Sequence, residues 1–406
     1  MNTRDERSLP DRVWDVVVVG GGPAGATAAT DLARAGRDVL LLDRAGRIKP
    51  CGGAVPTRLL VDFQIPDDLL VARVDRARMV SPAARQVDMP IESGFVGMVD
   101  REFFDEWLRE RARLAGCTRV TGEFLAVEPA GAEVYSLRYR VHAAGAFDGA
   151  APAERTVRAR AVIGADGANS AVARQRVPRA ERTRFVAAYH EIIRAPDAAA
   201  GQRCEIHYCG RISPDFYGWV FPHGETMSVG VGSAHRGFSM RHATRLLRER
   251  TGLAAAQTLR REGAPIPMRP LPRWDDGRGV VLVGDAAGVV APASGEGIYY
   301  AMLTGRVAAE AVDEYLHSGD AAVLRTVRRR FMREHGRVFW ILAVMQWFWY
   351  RNDARRERFV SICRDPDVQS LTWQAYLHKK LVRARPAAHA RIFFKDVAHL
   401  LGLARV

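Results

Sequence analysis

The chain has 406 residues, of which 48% are hydrophobic and 26% are charged. This balance is typical of a folded protein with about two or three structural units, and it excludes a largely disordered chain. The five cysteines are odd in number, scattered and without metal-ligand spacing, so we predict a reducing compartment and no metal site. Residues 1–11 are polar and form no signal core, and no uncharged run reaches the ~18–20 residues that a spanning helix needs.

The positive charge is concentrated in the last part of the chain. The formal net charge is +14, and residues 321–406 contain 18 Lys and Arg against 6 Asp and Glu. This segment has neither zinc-finger spacing nor an aromatic ribonucleoprotein motif, so nucleic acid is not the predicted partner. We predict an anionic membrane surface instead, because basic residues near such a surface are attracted to it.

The hydrophobic pattern changes along the chain from buried strands with helices to strands of alternating polarity. The predicted elements are strand 16–19, helix 26–35, strand 39–42, helix 101–115, strands 157–163, 185–193, 216–221, 226–231 and 280–283, loop 288–297, and a helix from 298 to about 316.

Two kinds of strand indicate two sheets. The first strands are continuously apolar, as in a parallel sheet covered on both faces, whereas the strands of residues 185–231 alternate in polarity. We therefore predict an α/β protein with a discontinuous first domain, an inserted mixed β-sheet domain and a helical C-terminal region. The predicted boundaries are 1–75, 98–184 and 276–320 for the first domain, 76–97 and 185–275 for the second, and 321–406 for the helical region.

A dinucleotide-binding motif joins the first strand to the first helix. Gly20, Gly22 and Gly25 form G-x-G-x-x-G, and Asp43 follows the last glycine by eighteen residues at the end of the second strand. The glycines permit a tight turn, close approach of a pyrophosphate and close helix packing, while the acid binds ribose hydroxyls. The free amides of the helix N-terminus favour phosphate. The same predicted site contains Pro23, Ala24 and Arg44.

Two later motifs resemble those of the para-hydroxybenzoate-hydroxylase-like flavoproteins. Residues 280–286 form a strand that ends in Gly284 and Asp285, and residues 161–170 place Asp166 after another strand. The resemblance implies a Rossmann-type domain that binds FAD, with Asp285 near the ribityl chain. Each Gly-Asp turn alone is also a common structural turn.

Three further positions are implied by this resemblance. Arg101 stands at the start of its helix, where related flavoproteins place an arginine near FAD, although a solvated helix-start arginine is the alternative. Gly295 and Gly297 precede the helix that begins at Ile298. The N-terminus of that helix would stabilise negative charge on a reduced flavin.

An aromatic motif indicates the substrate. Pro214, Tyr217, Trp219, Phe221 and Pro222 spell P-x-x-Y-x-W-x-F-P, which resembles the lipid-site motif of the geranylgeranyl reductase family. The three aromatic residues alternate along a predicted strand, so they project from one face and could form the floor of an apolar tunnel. Plain core packing is the alternative.

A glycine-rich loop carries the candidate catalytic cysteine. Residues 49–56 resemble the Cys-Gly-Gly loop of the same family, which lies beside the isoalloxazine ring, so Cys51, Gly52 and Gly53 are predicted at the flavin. The candidates for the proton donor or its relay are Cys51 and Tyr217. A buried spectator thiol is the alternative for the cysteine.

More matches resemble the chlorophyll and bacteriochlorophyll branch of that family: residues 79–82, 97–99 and 367–401. The resemblance implies reduction of three isolated double bonds of a geranylgeranyl chain to phytyl, on geranylgeranyl-bacteriochlorophyll(ide) or on free geranylgeranyl diphosphate. It also implies NADPH as a transient hydride donor. A flavin-dependent hydroxylase or halogenase and a non-catalytic prenyl-binding protein are the alternatives.

Residues 339–350 are apolar and aromatic, interrupted only by Gln346 and bordered by Arg337 and Arg351. A core helix is one interpretation. The other is an anchor that lies in the membrane interface, with its aromatic rings at the headgroups and its arginines on anionic lipid. A lipid-borne substrate favours the anchor, so we predict a peripheral protein on the cytoplasmic face of a photosynthetic membrane.

Overall fold

The computed structural model describes residues 12–44, 48–92, 94–141, 153–196 and 203–379. The strands are β1 (Val13–Val19), β2 (Val39–Asp43), β3 (Ala54–Pro56), β4 (Leu70–Val74), β5 (Arg76–Val80), β6 (Gln86–Pro90), β7 (Val96–Val99), β8 (Thr118–Thr121), β9 (Glu123–Pro129), β10 (Tyr135–Val141), β11 (Ala153–Gly164), β12 (Phe185–Arg194), β13 (Arg203–His207), β14 (Gly218–His223), β15 (Thr226–Ser233), β16 (Thr258–Pro267) and β17 (Val280–Leu282). The α-helices are α1 (Pro23–Arg34), α2 (Thr57–Phe63), α3 (Arg101–Leu114), α4 (Ala171–Arg176), α5 (Met240–Arg250), α6 (Ile298–Ser318), α7 (Arg325–Trp349), α8 (Asp353–Ile362) and α9 (Pro366–His378).

The first sheet is the centre of the dinucleotide-binding domain. Its order is β8-β2-β1-β11-β10-β9, with β17 paired to β11. Strands β8, β2, β1, β11 and β17 run parallel to one another, whereas β10 is antiparallel to both β11 and β9. The central strands β1 and β11 are buried over most of the residues that pair with each other. Helix α1 packs against α3 and α6. Because parallel strands end at the same edge, the turns after β1, β2, β11 and β17 converge there. The fold-class prediction is confirmed in this sheet.

Local chemistry explains where α1 begins, but two strands of the first sheet were missed. Helix α1 begins three residues earlier than predicted, at Pro23, because the first turn of a helix leaves N–H groups unpaired and a proline there loses nothing. Strands β9 and β10 were not predicted, although Tyr135, Leu137 and Tyr139 alternate as buried residues along β10.

The second sheet has the order β16-β12-β15-β14-β13-β5-β6. One face packs on α5 through Val220, Val229, Val231 and Leu247, and the other face meets the first domain and the C-terminal helices. The predicted strand 216–221 is displaced, because β14 begins at Gly218. Ser213 Oγ accepts from Phe216 N at 2.8 Å and donates to Gly232 O at 2.6 Å, which holds the preceding residues in a bend.

A small antiparallel sheet of order β3-β7-β4 connects the two larger ones, and the sequence did not predict it. Residues 96 and 97, which were predicted in the second domain, therefore lie in this small sheet, since β7 pairs with β3 and β4. The other domain boundaries stay a prediction.

The C-terminal region is helical, as predicted, through α7, α8 and α9. The aromatic run 339–350 continues α7 to its end. Phe339, Trp349 and Tyr350 are buried, whereas Trp340 and Trp347 are 67% and 65% exposed. No helix within the described ranges is both long and apolar enough to cross a bilayer. Of the family match in residues 367–401, residues 380–401 lie outside the described residues.

Candidate cofactor and substrate site

The glycine motif builds a cradle at the end of β1. A Cβ atom on Gly20, whose φ is +105°, would lie 2.3 Å from Ala165 O, and one on Gly25 would lie 1.9 Å from Gly20 O. These two glycines therefore allow β1, α1 and the turn after β11 to pack closely. A Cβ on Gly22 would meet nothing within 4 Å. The backbone at Gly22 is thus open for a ligand to approach.

The cradle opens into a cavity of about 500 Å³ at the converging strand ends. Gly22 is the N-cap of α1 and makes no side-chain cap, so the first amides of the helix face this space without a protein partner at the cap. The predicted residues in its lining are Gly20, Gly22, Pro23, Ala24, Asp43, Arg44, Asp166 and Asp285. A cavity lined by free amides and by carboxylates fits an extended dinucleotide.

Asp43, the predicted ribose acid, lines the larger cavity. Burial raises the pKa of this carboxyl, while Arg109 opposes the shift from 3.3 Å and also donates to Gly21 O. Arg109 was not predicted. It lies four residues after Asp105, which itself lies four residues after Arg101, so the three share one face of α3.

Asp166 and Asp285 have different partners. Asp166 accepts from Ala171 N at 2.6 Å and from Val172 N at 3.1 Å, so its carboxylate caps α4 as well as lining the cavity. Asp285 forms an ion pair with Lys49, which is also a part of both cavity linings. The sequence predicted Lys49 as a member of the cysteine loop, residues 49–56, but not as a binding residue.

A second cavity of about 110 Å³ adjoins the first, since Pro23, Lys49, Asp285 and Ala301 line both. Its lining brings together the cysteine loop, the glycine loop before α6 and the second sheet. The predicted residues there are Cys51, Gly52, Arg101, Trp219, Gly295, Gly297 and Ile298.

Arg101 is buried, with 5% of its surface exposed, so the alternative of a solvated arginine is wrong. It donates to Asp105 at 2.8 Å and 2.7 Å. Burial opposes its charge, but Asp105 and then Cys51 raise the pKa of Arg101 overall. A permanent positive charge therefore lies beside the Cys51 thiol.

Gly52 and Gly53 explain the form of the cysteine loop. A Cβ on Gly52 would lie 3.1 Å from the Phe221 ring. Gly53 has φ +70°, and its Cβ would lie 2.4 Å from Val99 O. The loop can thus lie flat between the small sheet and the aromatic residues of β14.

The aromatic motif forms a continuous row of rings. Tyr217 and Trp219 have ring centroids 6.2 Å apart, and Trp219 and Phe221 have theirs 6.4 Å apart. The shared face that the alternation predicted is therefore present, although Tyr217 precedes the strand. Pro222 follows in β14 and is also buried. Within this row, Trp219 reaches the second cavity.

Tyr217 has a defined hydrogen bond. Its hydroxyl donates to Ser294 O at 2.6 Å, and burial raises the pKa of this phenol. The hydroxyl also lies 3.2 Å from where a Cβ on Gly295 would stand, and Gly295 has φ +66°. This geometry favours a role for Tyr217 in holding the glycine loop rather than in donating a proton.

The glycine loop is also tied to the C-terminal helices. Glu296, between Gly295 and Gly297, forms an ion pair with Lys379, and the two side chains are 5% and 2% exposed. Lys379 Nζ lies 4.3 Å from the centroid of the Tyr376 ring and 5.4 Å from that of Tyr300. This pair could not be predicted from the sequence, because 83 residues separate its members.

Comparison with known proteins identifies the class first. Residues 15–173 match the model of the FAD dependent oxidoreductases, and residues 97–330 match that of an FAD binding domain. The second match spans more than half of the chain. The protein is an FAD-binding oxidoreductase, and the cavity described above fits that cofactor.

Relatives identify the family. The geranylgeranyl diphosphate reductase of Rhodobacter capsulatus is 56% identical and aligns over 96% of this chain and 98% of its own. The chloroplastic enzyme of Oryza sativa is 37% identical over 95% of this chain and 86% of its own, and that of Synechocystis is 35% identical over 96% and 98%. The chain belongs to the geranylgeranyl reductase family. The predictions of that family and of an enzyme are confirmed.

Solved structures support the fold. A geranylgeranyl bacteriochlorophyll reductase-like protein from Thermoplasma acidophilum has a TM-score of 0.79 at 24% identity, covering 93% of this chain and 99% of its own. A flavin-dependent brominase has a TM-score of 0.71 at 18% identity, covering 95% and 99%. At these identities the matches concern the architecture alone.

Proposed function

We propose that the protein reduces the three isolated double bonds of a geranylgeranyl chain to give phytyl, in (bacterio)chlorophyll biosynthesis. The substrate is geranylgeranyl-bacteriochlorophyll(ide) or free geranylgeranyl diphosphate, and NADPH is the hydride donor. The observation that carries the proposal is the row of Tyr217, Trp219 and Phe221, which meets the cysteine loop at the second cavity. The name of the Rhodobacter relative supports the prenyl substrate.

FAD, when bound, supplies a ring that accepts and donates hydride. The protein would hold it along its length: the amides of the α1 N-terminus would bind the pyrophosphate, and Asp43 would bind the adenosine ribose. Asp285 would bind hydroxyls of the ribityl side. Gly297, the N-cap of α6, carries no side-chain cap, so the positive end of that helix favours negative charge on the ring.

An isolated alkene has no carbonyl to activate it, so catalysis rests on position and on exclusion of water. Trp219 and Phe221 hold the chain against the cysteine loop. Cys51 holds the proton for the second alkene carbon at Sγ, where Arg101 stands beside it. Tyr217 keeps Gly295 in place through its bond to Ser294 O.

NADPH docks transiently in this proposal. The described residues contain one G-x-G-x-x-G turn, and the large cavity beside it is assigned to FAD. NADPH would therefore approach from solvent rather than occupy a second dinucleotide cradle.

The protein works at the membrane surface in this proposal. Trp340, Val344 and Trp347 are exposed and follow helical spacing on one face of α7. Arg351 lies 5.9 Å from the centroid of the Trp347 ring. An exposed aromatic face bordered by arginines fits an anionic interface on the cytoplasmic side of the photosynthetic membrane.

The test is anaerobic incubation with NADPH and either geranylgeranylated bacteriochlorophyll or geranylgeranyl diphosphate, followed by mass analysis. We expect successive additions of two hydrogens. Product formation that requires and consumes oxygen would establish the hydroxylase or halogenase alternative instead. A purified protein without flavin absorbance would support the non-catalytic alternative.

A further inference from the structure

A row of polar side chains crosses the second sheet on the face that meets the smaller cavity. Glu262, His190 and Gly230 are register partners on β16, β12 and β15, and Trp219 faces Gly230 from β14. His190 Nε2 lies 3.1 Å from Glu262 Oε2, and His190 Nδ1 lies 2.9 Å from Ser228 Oγ. Trp219 Nε1 donates to the same Oγ at 3.1 Å.

One arrangement of hydrogens satisfies all of these groups. An indole N–H only donates, so Ser228 Oγ accepts from Trp219 and its own hydrogen is left for His190 Nδ1. Nδ1 must then accept, and Nε2 carries the hydrogen that is donated to the Glu262 carboxylate. Because His190, Ser228 and Trp219 are 3%, 0% and 6% exposed, leaving any of these bonds unmade would be costly.

This direction of the hydrogen bonds excludes two other roles for Ser228 and His190. Glutamate, histidine and serine form the constellation of many hydrolases. Here, however, Ser228 Oγ is fully buried and covered by the indole N–H, so no substrate carbon can reach it. His190 lines the cavity, but both of its nitrogens are engaged, so neither is free to give a proton to an alkene.

The indole is fixed from below as well. A Cβ on Gly230 would lie 2.4 Å from Trp219 Cζ2 and 2.5 Å from His190 Cβ. Trp219 therefore lies flat on β15, with Tyr217 on one side and Phe221 on the other.

We propose that His190 is a positioning residue, which orients Trp219 through Ser228 so that the indole forms a rigid wall of the prenyl site. Glu262 fixes the hydrogen on His190, and Arg260 holds Glu262 at 2.5 Å. This proposal rests on the proposed function, because the wall matters for an apolar chain beside the flavin. Three double bonds must be placed in turn against one wall, so a loose indole leaves partly reduced products.

The experiment compares His190→Gln with His190→Leu. A glutamine amide keeps one acceptor for Ser228 and one donor for Glu262, whereas leucine keeps neither. We expect His190→Leu to lower kcat about tenfold and to release partly reduced chains, a loss of about 1.4 kcal/mol by the usual conversion. We expect the kcat of His190→Gln to stay within about threefold of wild type, with an unchanged pH profile, because glutamine keeps both hydrogen bonds.

A second measurement does not depend on activity. The protein has eight tryptophans, and the indole N–H signal of Trp219 is assigned by its loss in Trp219→Phe. In indole-¹⁵N-labelled protein we expect slow hydrogen exchange of this signal in wild type and in His190→Gln, and fast exchange in His190→Leu and Ser228→Ala. Ser233→Ala, on the same strand but bonded to Asp215, is the matched control and should leave the signal unchanged.

The outcomes separate the two proposals. If wild type reduces no geranylgeranyl substrate, the proposed function fails. The exchange data still decide whether the hydrogen bonds from His190 through Ser228 orient Trp219. If His190→Gln is as impaired as His190→Leu and its pH profile shifts, His190 carries a proton and the positioning role is overturned. If His190→Leu does not fold, Ser228→Ala and His190→Gln decide by the same signals.

Discussion

The cofactor cradle and the proposed prenyl site, at the second cavity, are built in opposite ways. The cradle comes from one continuous segment, residues 16–43, in which each glycine has a task that its own turn defines. The proposed prenyl site comes from the cysteine loop, strands β12, β14 and β16 of the second sheet, the glycine loop and the C-terminal helices. Local spacing therefore specifies the cradle, whereas tertiary packing specifies the prenyl site. Each of the following variants separates one region from the other.

The largest effect is expected within the cradle itself. Gly25→Ala places a methyl group 1.9 Å from Gly20 O, which must force β1 and α1 apart and costs roughly 3 kcal/mol or more. Gly22→Ala meets no atom within 4 Å, so it should fold normally and lose only FAD affinity. Thermal unfolding of the FAD-free proteins checks the first change, and FAD titration checks the second. Equal stability of the two variants would contradict the packing role of Gly25.

Trp219→Ala tests the prenyl site alone. Removing the indole empties one wall of the smaller cavity, so we expect turnover of the prenyl substrate to fall about a hundredfold, which corresponds to about 2.7 kcal/mol. Flavin content, measured from absorbance, should not change. A parallel loss of flavin would make Trp219 a residue of the general core.

Asp285→Ala tests the boundary between the regions, because Asp285 lines both cavities. A buried hydroxyl partner left unmatched costs about 1–3 kcal/mol, so FAD should dissociate about 5- to 150-fold more easily. Lys49→Met is the matched control, since it removes the other member of the ion pair and keeps the carboxylate. Retention of full yellow colour by Asp285→Ala after long dialysis would oppose the assignment.

The smallest effect is expected on the exposed face of α7. Replacing the exposed Trp340 and Trp347 with Ser should reduce binding to anionic vesicles about tenfold at low salt, with no change in unfolding temperature. Trp349→Ser is the matched control, because Trp349 is 8% exposed and its loss should cost about 3–5 kcal/mol of stability. Unchanged binding of the double variant, measured by flotation, would remove the anchor from the proposal.

The sequence could predict the cradle because its determinants are neighbours along the chain. The sequence also contains a signal that the prediction did not use. Trp340, Val344 and Trp347 recur at helical spacing on one face, and this spacing separates them from the buried Trp349, which the predicted interfacial run 339–350 includes. Likewise, Arg109 follows Asp105 by one helical turn on the face that carries Arg101.

Other features could not be predicted from one sequence. His190 and Glu262 are 72 residues apart, and only the pairing of β12 with β16 makes them neighbours. The bend that displaces Tyr217 from β14 depends on a bond from Ser213 to Gly232, across nineteen residues. Such contacts follow from register and from loop packing, which no short pattern contains.

The ion pair between Glu296 and Lys379 has a thermodynamic consequence. It joins the glycine loop that lines the second cavity to Lys379 at the end of α9, so FAD bound at that loop, as proposed, and the docking of the helix would be linked equilibria. Linkage is reciprocal: whatever free energy FAD adds to the docking of the helix, the docked helix returns to the binding of FAD. A ligand or a surface that displaces α9 would then weaken FAD binding by the factor by which FAD strengthens the docking of that helix.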